Sequence, residues 1–248
     1  MSRRVVVLGA TKGIGRVLAR QLAARGDRLC LLGRSLPDLE ASARDLEQYS
    51  SDRTPVESIF CDLEQLDSIA SALDGAERAL GGFDTVIVTA ALFALQDALA
   101  TDAELTRRLL QVDFVNTVLF CEAARTRLLA RGGGTLCVFS SVAGDRARRR
   151  VVLYGAAKAG LSAYLEGLDH AYRRHGLVTV CVKPGFVRTS MTEGLPEPPI
   201  VSSAESVART AVRAIDRGTP VVYAPRIWWP IMLFVRSLPR AVMRRVGF

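Results

Sequence analysis

Seven short runs of aliphatic and β-branched residues recur along this chain, and most are followed by a longer stretch with helical periodicity. The runs are 4–9 (RVVVLG), 28–33 (RLCLLG), 56–61 (VESIFC), 84–90 (DTVIVTA), 135–141 (TLCVFSS), 178–183 (VTVCVK) and 220–224 (PVVYA). They are apolar throughout instead of alternating apolar with polar, the pattern of strands covered on both faces. Helical segments are predicted over 13–25, 36–49, 65–80, 102–131, 152–175 and 203–217. Strands and helices in alternation over 248 residues predict a single α/β domain, residues 1–225, built on a doubly wound, seven-stranded parallel sheet with helices on both faces. Residues 185–202 are rich in Pro, Gly, Ser and Thr and are expected to form a long loop. Residues 226–248 form a separate aromatic and basic tail.

The first run leads into GATKGIG, residues 9–15, and then into a helical segment. Gly9, Gly13 and Gly15 permit a tight turn and let the backbone approach a diphosphate at a helix N-terminus. After the first strand of an alternating chain, such a loop points to a dinucleotide. NAD-selective sites commonly place an acid at the end of the second strand, on the ribose 2′-hydroxyl. Here Arg34 stands at that end, and Lys12 lies inside the glycine loop. Two cations suit a 2′-phosphate, so NADP(H) is expected in preference to NAD(H). Asp62, just after the third strand, either accepts from the adenine amine or caps the helix that begins near Gln65.

The net charge of +8 suits anionic partners such as nucleotides or phospholipid head groups without choosing among them. Nucleic acid would account for the charge alone and is not expected as a partner. Cys30, Cys61, Cys121, Cys137 and Cys181 stand singly in apolar segments, with no CxxC or Cys/His spacing. They are expected to be buried free thiols of a reducing compartment, with no metal site. The first apolar run is too short for a signal peptide, and a cytoplasmic location is expected.

Tyr154 and Lys158 are four apart on one helix face, 13 residues beyond Ser141 at the end of the fifth strand. Strand ends and the helices that follow meet at the carboxyl edge of such a sheet, where ligands bind. Ketone reduction needs a hydride donor on one face and a proton donor at the oxygen. A phenol titrates near 10, and a neighbouring ammonium is expected to lower that value. Ser141 would polarise the carbonyl, and Lys158 could also hold the nicotinamide ribose.

GATKGIG, the Ser141–Tyr154–Lys158 set and KPGFVRTSM (183–191) together resemble the short-chain dehydrogenase/reductase family over roughly residues 3 to 224. The resemblance implies a Rossmann fold with strand order 3-2-1-4-5-6-7. It also implies a homodimer or homotetramer, its dimer formed through the helices at 102–131 and 152–175. It places Thr11, Ile14, Ala90, Val187, Pro184 and Gly185 against the cofactor, with Thr189 on the carboxamide. The family's catalytic asparagine falls on Asp113, which would hold a water in the proton relay; Asn116, one turn on, is a candidate substitute. The family's Asn-Asn-Ala-Gly is here TAAL, Thr89 to Leu92.

Within the family, the arginine run 146–150, the YGAAKAGL helix start and the tail are similar to the decaprenylphosphoryl-2-keto-ribose reductases. That group reduces a 2-keto sugar on a polyprenyl phosphate and works beside an FAD-dependent oxidase. Other substrates remain open: keto-acyl thioesters, steroids or other small carbonyl compounds. A non-catalytic NADP-binding scaffold is the remaining alternative. Arg146, Arg148, Arg149 and Arg150 either bind an anionic part of the substrate or form a solvated loop or subunit contact. The tail, with Pro230 inside its apolar stretch, is too short to span a bilayer. It either lies on a membrane surface or packs over the cleft or a partner subunit.

Overall fold

A computed structural model describes residues 2–50 and 54–245; Met1 and residues 246–248, the ends of the predicted domain and tail, lie outside it. Strands β1 (Arg4–Leu8), β2 (Arg28–Gly33) and β3 (Glu57–Phe60) alternate with helices α1 (Gly13–Ala24), α2 (Leu36–Glu47) and α3 (Asp67–Leu80). Then come β4 (Thr85–Val88), α4 (Gln96–Thr101), α5 (Ala103–Leu110), a π-helical turn (Gln111–Val115), α6 (Asn116–Ala130) and β5 (Gly134–Phe139). The last third holds α7 (Val152–Tyr172), β6 (Leu177–Pro184), β7 (Phe186–Arg188), β8 (Val201–Ser203), α8 (Ala204–Arg217), β9 (Val221–Ala224), α9 (Trp228–Ser237) and α10 (Arg240–Arg245).

The main sheet is parallel, with order β3-β2-β1-β4-β5-β6-β9. This is the expected seven-stranded topology, its last strand being the predicted run at 220–224. The apolar runs are explained by two cores. Val5, Val7, Leu29, Leu31, Cys137 and Val180 face one layer with α1, α2 and α8. Val6, Leu8, Cys30, Leu32, Val138 and Cys181 face the other, with α3, α6 and α7. A strand with one solvated face would not need both sets. All five cysteines are buried free thiols, and burial pushes Cys61 up to about 11.

The structure corrects the predicted elements at two places. The helix expected over 102–131 is broken by the π-helical turn at 111–115. The loop expected over 185–202 contains β7 and β8, which pair in parallel as a small second sheet. The tail is helical, as α9 and α10. The apolar side of α9 packs back on the domain: Met232 and Val235 are buried with Val142 and Tyr223.

Candidate active site

Chain order reverses at β1, which pairs with β2 on one side and β4 on the other. A doubly wound sheet opens a crevice at the carboxyl ends of such a pair. The glycine loop leaves β1 there. Gly9 has φ +97°, and a Cβ on it would lie 2.6 Å from the Ala90 nitrogen. A Cβ on Gly15 would overlap the Gly9 carbonyl. Thr89, at the end of β4, donates from its hydroxyl to the carbonyls of Leu8 (3.1 Å) and Gly9 (3.0 Å). Thr89 thus clamps the loop. The sequence signal was the hydroxyl of Thr89 in TAAL. The first turn of α1 has no acidic residue and no side-chain cap, so its N–H groups remain available for an anion.

Ser141 lies two residues beyond β5 and caps a 3₁₀ turn, Val142–Gly144; its Oγ accepts from the Ala143 N–H at 3.1 Å. Tyr154 and Lys158 lie on α7, and the Tyr154 ring meets Phe93 edge-on at 5.0 Å between centroids. Lys158 Nζ is 5.5 Å from the Tyr154 ring centroid and 3.4 Å from the Asp113 carboxylate. Both members of that ion pair are buried. The other Asp113 oxygen accepts from the Leu92 N–H at 2.6 Å. The π-helical turn carries Asp113 into this position. Asn116 does not substitute for it: its amide donates to the Leu63 carbonyl, in a buried bond away from Lys158.

Electrostatics overturn the expectation for Tyr154. Burial pushes its phenol up, Lys158 pulls it down, and Asp113 pushes it up again, leaving it above the ordinary value. For Lys158, burial favours the neutral amine, but Asp113 and Tyr154 outweigh it and hold the ammonium. Burial comes first, and Asp113 offsets part of what the Lys158 cation does to acidify Tyr154.

A cleft of about 750 Å³ runs from the glycine loop to this group. Gly9, Lys12, Gly13, Ile14, Gly15, Ser141, Tyr154, Lys158, Pro184, Gly185, Val187 and Thr189 all line it. Thr11, Ala90 and Asp113 do not, although Ala90 abuts Gly9 and Asp113 holds Lys158. Arg34 and Asp62 lie beyond the cleft, at the ends of β2 and β3. Arg34 is exposed, with a long ion pair of 3.9 Å to Glu64. Asp62 accepts from the Glu64 N–H at 2.9 Å, so its carboxylate caps the turn leading to α3.

The arginine run divides by role. Arg146 donates to the Leu238 carbonyl at 2.6 Å and ties the loop to the tail. Arg148 and Arg150 line the cleft, whereas Arg149 does not; burial pulls the Arg148 guanidinium down. Under the loop, Asp145 pairs with Lys183 at 2.6 Å and accepts from the Tyr223 hydroxyl at 2.6 Å. This buried set, unforeseen from sequence, anchors the loop to β6 and β9. Its only signal was one aspartate ahead of four arginines. Trp228 of α9 forms a cleft wall, and a Cβ on Gly185 would overlap its indole nitrogen.

Comparison with known proteins shows the family. The sequence model of the family described as short chain dehydrogenase matches residues 3–199. The chain belongs to the short-chain dehydrogenase family. An uncharacterized oxidoreductase of Mycobacterium tuberculosis is 33% identical over 242 residues, covering 98% of this chain and 96% of the relative. A human 3-oxoacyl-[acyl-carrier-protein] reductase is 27% identical over 197 residues, covering 79% and 81%. A short-chain type dehydrogenase/reductase from Mycobacterium ulcerans superposes with a TM-score of 0.81 at 20% identity, covering 99% and 100%. Short-chain dehydrogenases are oxidoreductases that bind a nicotinamide dinucleotide, and the site fits one. The uncapped N-terminus of α1, the close-packed glycines and a continuous cleft to Tyr154 are what such a ligand requires.

Proposed function

We propose that this short-chain dehydrogenase reduces a ketone to a secondary alcohol, using NADPH in preference to NADH. The observation that carries this reading is the convergence of Ser141, Tyr154 and Lys158 on the cleft that begins at the glycine loop. The dinucleotide, when bound, supplies the hydride. Tyr154 gives its phenolic proton to the carbonyl oxygen, and Ser141 donates a hydrogen bond to that oxygen. Ser141 Oγ accepts from the Ala143 N–H and, as a hydroxyl, keeps one proton to donate. Lys158 stabilises the phenolate as it forms, and Asp113 keeps Lys158 charged and in place. Gly9, Thr11, Gly13, Ile14 and Gly15 form the diphosphate cradle, and Ala90, Asp62, Pro184, Val187 and Thr189 are the other proposed cofactor contacts.

The coenzyme preference rests on the absence of an acid at the end of β2 and on the exposed cations Arg34 and Lys12. Arg34→Asp is expected to raise KM for NADPH by roughly tenfold or more and to favour NADH. Unchanged relative KM values would remove the assignment.

For the substrate, Arg148 and Arg150 supply an anion-binding edge, and Phe93, Leu95, Phe186, Met191, Leu195 and Trp228 supply an apolar wall. An amphiphile with an anionic group and an apolar chain satisfies both, such as a 2-keto sugar on a polyprenyl phosphate, formed by an FAD-dependent oxidase. A keto-acyl thioester is the second reading, favoured by the likeness to the human 3-oxoacyl-[acyl-carrier-protein] reductase. Subunit pairing is expected through the helical region from α5 to α6 and through α7, where Val115 of the π-helical turn, Leu119 of α6 and Val152 of α7 are exposed. The test is NADPH oxidation with a polyprenyl-phosphoryl 2-keto-pentose, a short keto-acyl thioester and an uncharged ketone. Tyr154→Phe should lower kcat by about 10² to 10⁴ with NADPH binding kept. Arg148→Ala with Arg150→Ala should raise KM for the anionic substrates only. NADPH binding without turnover of any ketone would leave a scaffold and end the catalytic reading.

A further inference from the structure

Helix α9 has two unlike sides. Trp228, Ile231, Met232 and Val235 pack against the domain. On the other side Trp229, Leu233 and Phe234 are each more than half exposed, and Ile227 just before the helix is equally open. Exposed aromatics at this density are costly in water unless something covers them. The charges around them have one sign. From residue 226 to residue 245 the chain carries Arg226, Arg236, Arg240, Arg244 and Arg245 and no acidic residue. All five arginines are exposed, and none of them makes an ion pair among the described residues. No helix of the described residues is long and apolar enough to cross a membrane.

We propose that the outer side of α9, with α10, is a docking surface for an anionic lipid bilayer. Trp229, Leu233 and Phe234 would enter the head-group boundary while the arginines meet the anionic head groups. A second copy is the poorer occupant. A two-fold contact sets a patch against itself, here arginines against arginines with no acid on the segment to offset them. An acidic protein partner would answer the arginines but would not require three large apolar side chains in open display. The position has a consequence for the cleft. Trp228 is a cleft wall and Trp229, the next residue, belongs to the docking face. One helix therefore joins the lipid surface to the cleft. The proposal goes beyond ketone reduction and stands apart from it.

The experiment is co-sedimentation of the full chain with vesicles of phosphatidylcholine alone and of phosphatidylcholine mixed with phosphatidylglycerol. Partition onto the anionic vesicles should exceed that onto neutral ones by about tenfold or more and should fall with added salt. Trp229→Ser with Phe234→Ser should lower it about tenfold or more. Arg240→Gln with Arg244→Gln should lower it about fivefold per arginine and flatten the salt dependence. Reduction of a water-soluble ketone, run in parallel, should be unchanged in both variants, so a failed docking surface and a failed reductase assignment give different results. Equal partition onto both vesicles, or none onto either, would overturn the proposal. So would a serine variant that binds vesicles normally but splits a larger oligomer into a smaller one, which would make the face a subunit contact.

Discussion

Asp113 and Lys158 form a buried ion pair whose members lean on each other. Losing one partner would leave a buried charge uncompensated, at a cost of about 3–5 kcal/mol. The pair also sets the protonation of Tyr154. Burial and Asp113 hold the phenol above its ordinary value, against Lys158. A raised acid stays protonated at neutral pH, so the proton donor for reduction is in place there and is lost only at strongly alkaline pH. The reverse oxidation of an alcohol needs the phenolate and should rise steadily with pH. Asp113→Asn keeps an acceptor for the Leu92 N–H and removes the negative charge. The expected outcome is an oxidation profile displaced towards lower pH, read from kcat against pH. A displacement in the other direction would show that Lys158 loses its proton once Asp113 is neutral.

At the scale of elements, the site depends on interruptions. Helix α7 alone places Tyr154 and Lys158 on one face, which spacing already indicated. The buried carboxylate beside Lys158 needs the π-helical turn between α5 and α6, a feature with no residue signature. The glycine loop needs Thr89, which bridges two strands adjacent in space and distant in sequence. Strand β6 runs into Gly185, where the absence of a side chain admits Trp228 of α9. Gly185→Ala should expel that indole and open the cleft wall. The expected result is a rise in substrate KM of about tenfold with a much smaller change in kcat, checked by steady-state kinetics. An equal loss in kcat would place Gly185 on the reacting atoms instead.

Over the whole molecule, the tail is part of the fold. Met232 and Val235 are buried against Val142 and Tyr223, and Arg146 is tied to Leu238. Burying such side chains contributes about 1.5–3 kcal/mol each. Deleting residues 226–248 should therefore lower Tm by on the order of 10 °C and weaken substrate binding through loss of Trp228. Thermal unfolding measured beside KM would separate the two effects. A deletion with unchanged Tm would mean that α9 does not pack on the domain in solution.

The local pattern alone indicated the strands, most helices, the glycine loop and the candidate Ser141–Tyr154–Lys158 set, whereas the strand order followed from the family resemblance. Each of the former depends on residues close in sequence: apolar runs, a glycine turn after a strand, a four-residue helix spacing. Arg34 and the missing acid after β2 were legible for the same reason. Tertiary structure decided what depends on distant neighbours. It separated Arg148 and Arg150, in the cleft, from Arg146, on the tail, though the four arginines look alike along the chain. It seated Asp145 between Lys183 and Tyr223. It turned one side of α9 inward and left the other in solvent. It also reversed the expected direction for Tyr154, because the field at a buried phenol sums burial, a cation and an anion contributed by separate elements, and no stretch of sequence contains that sum.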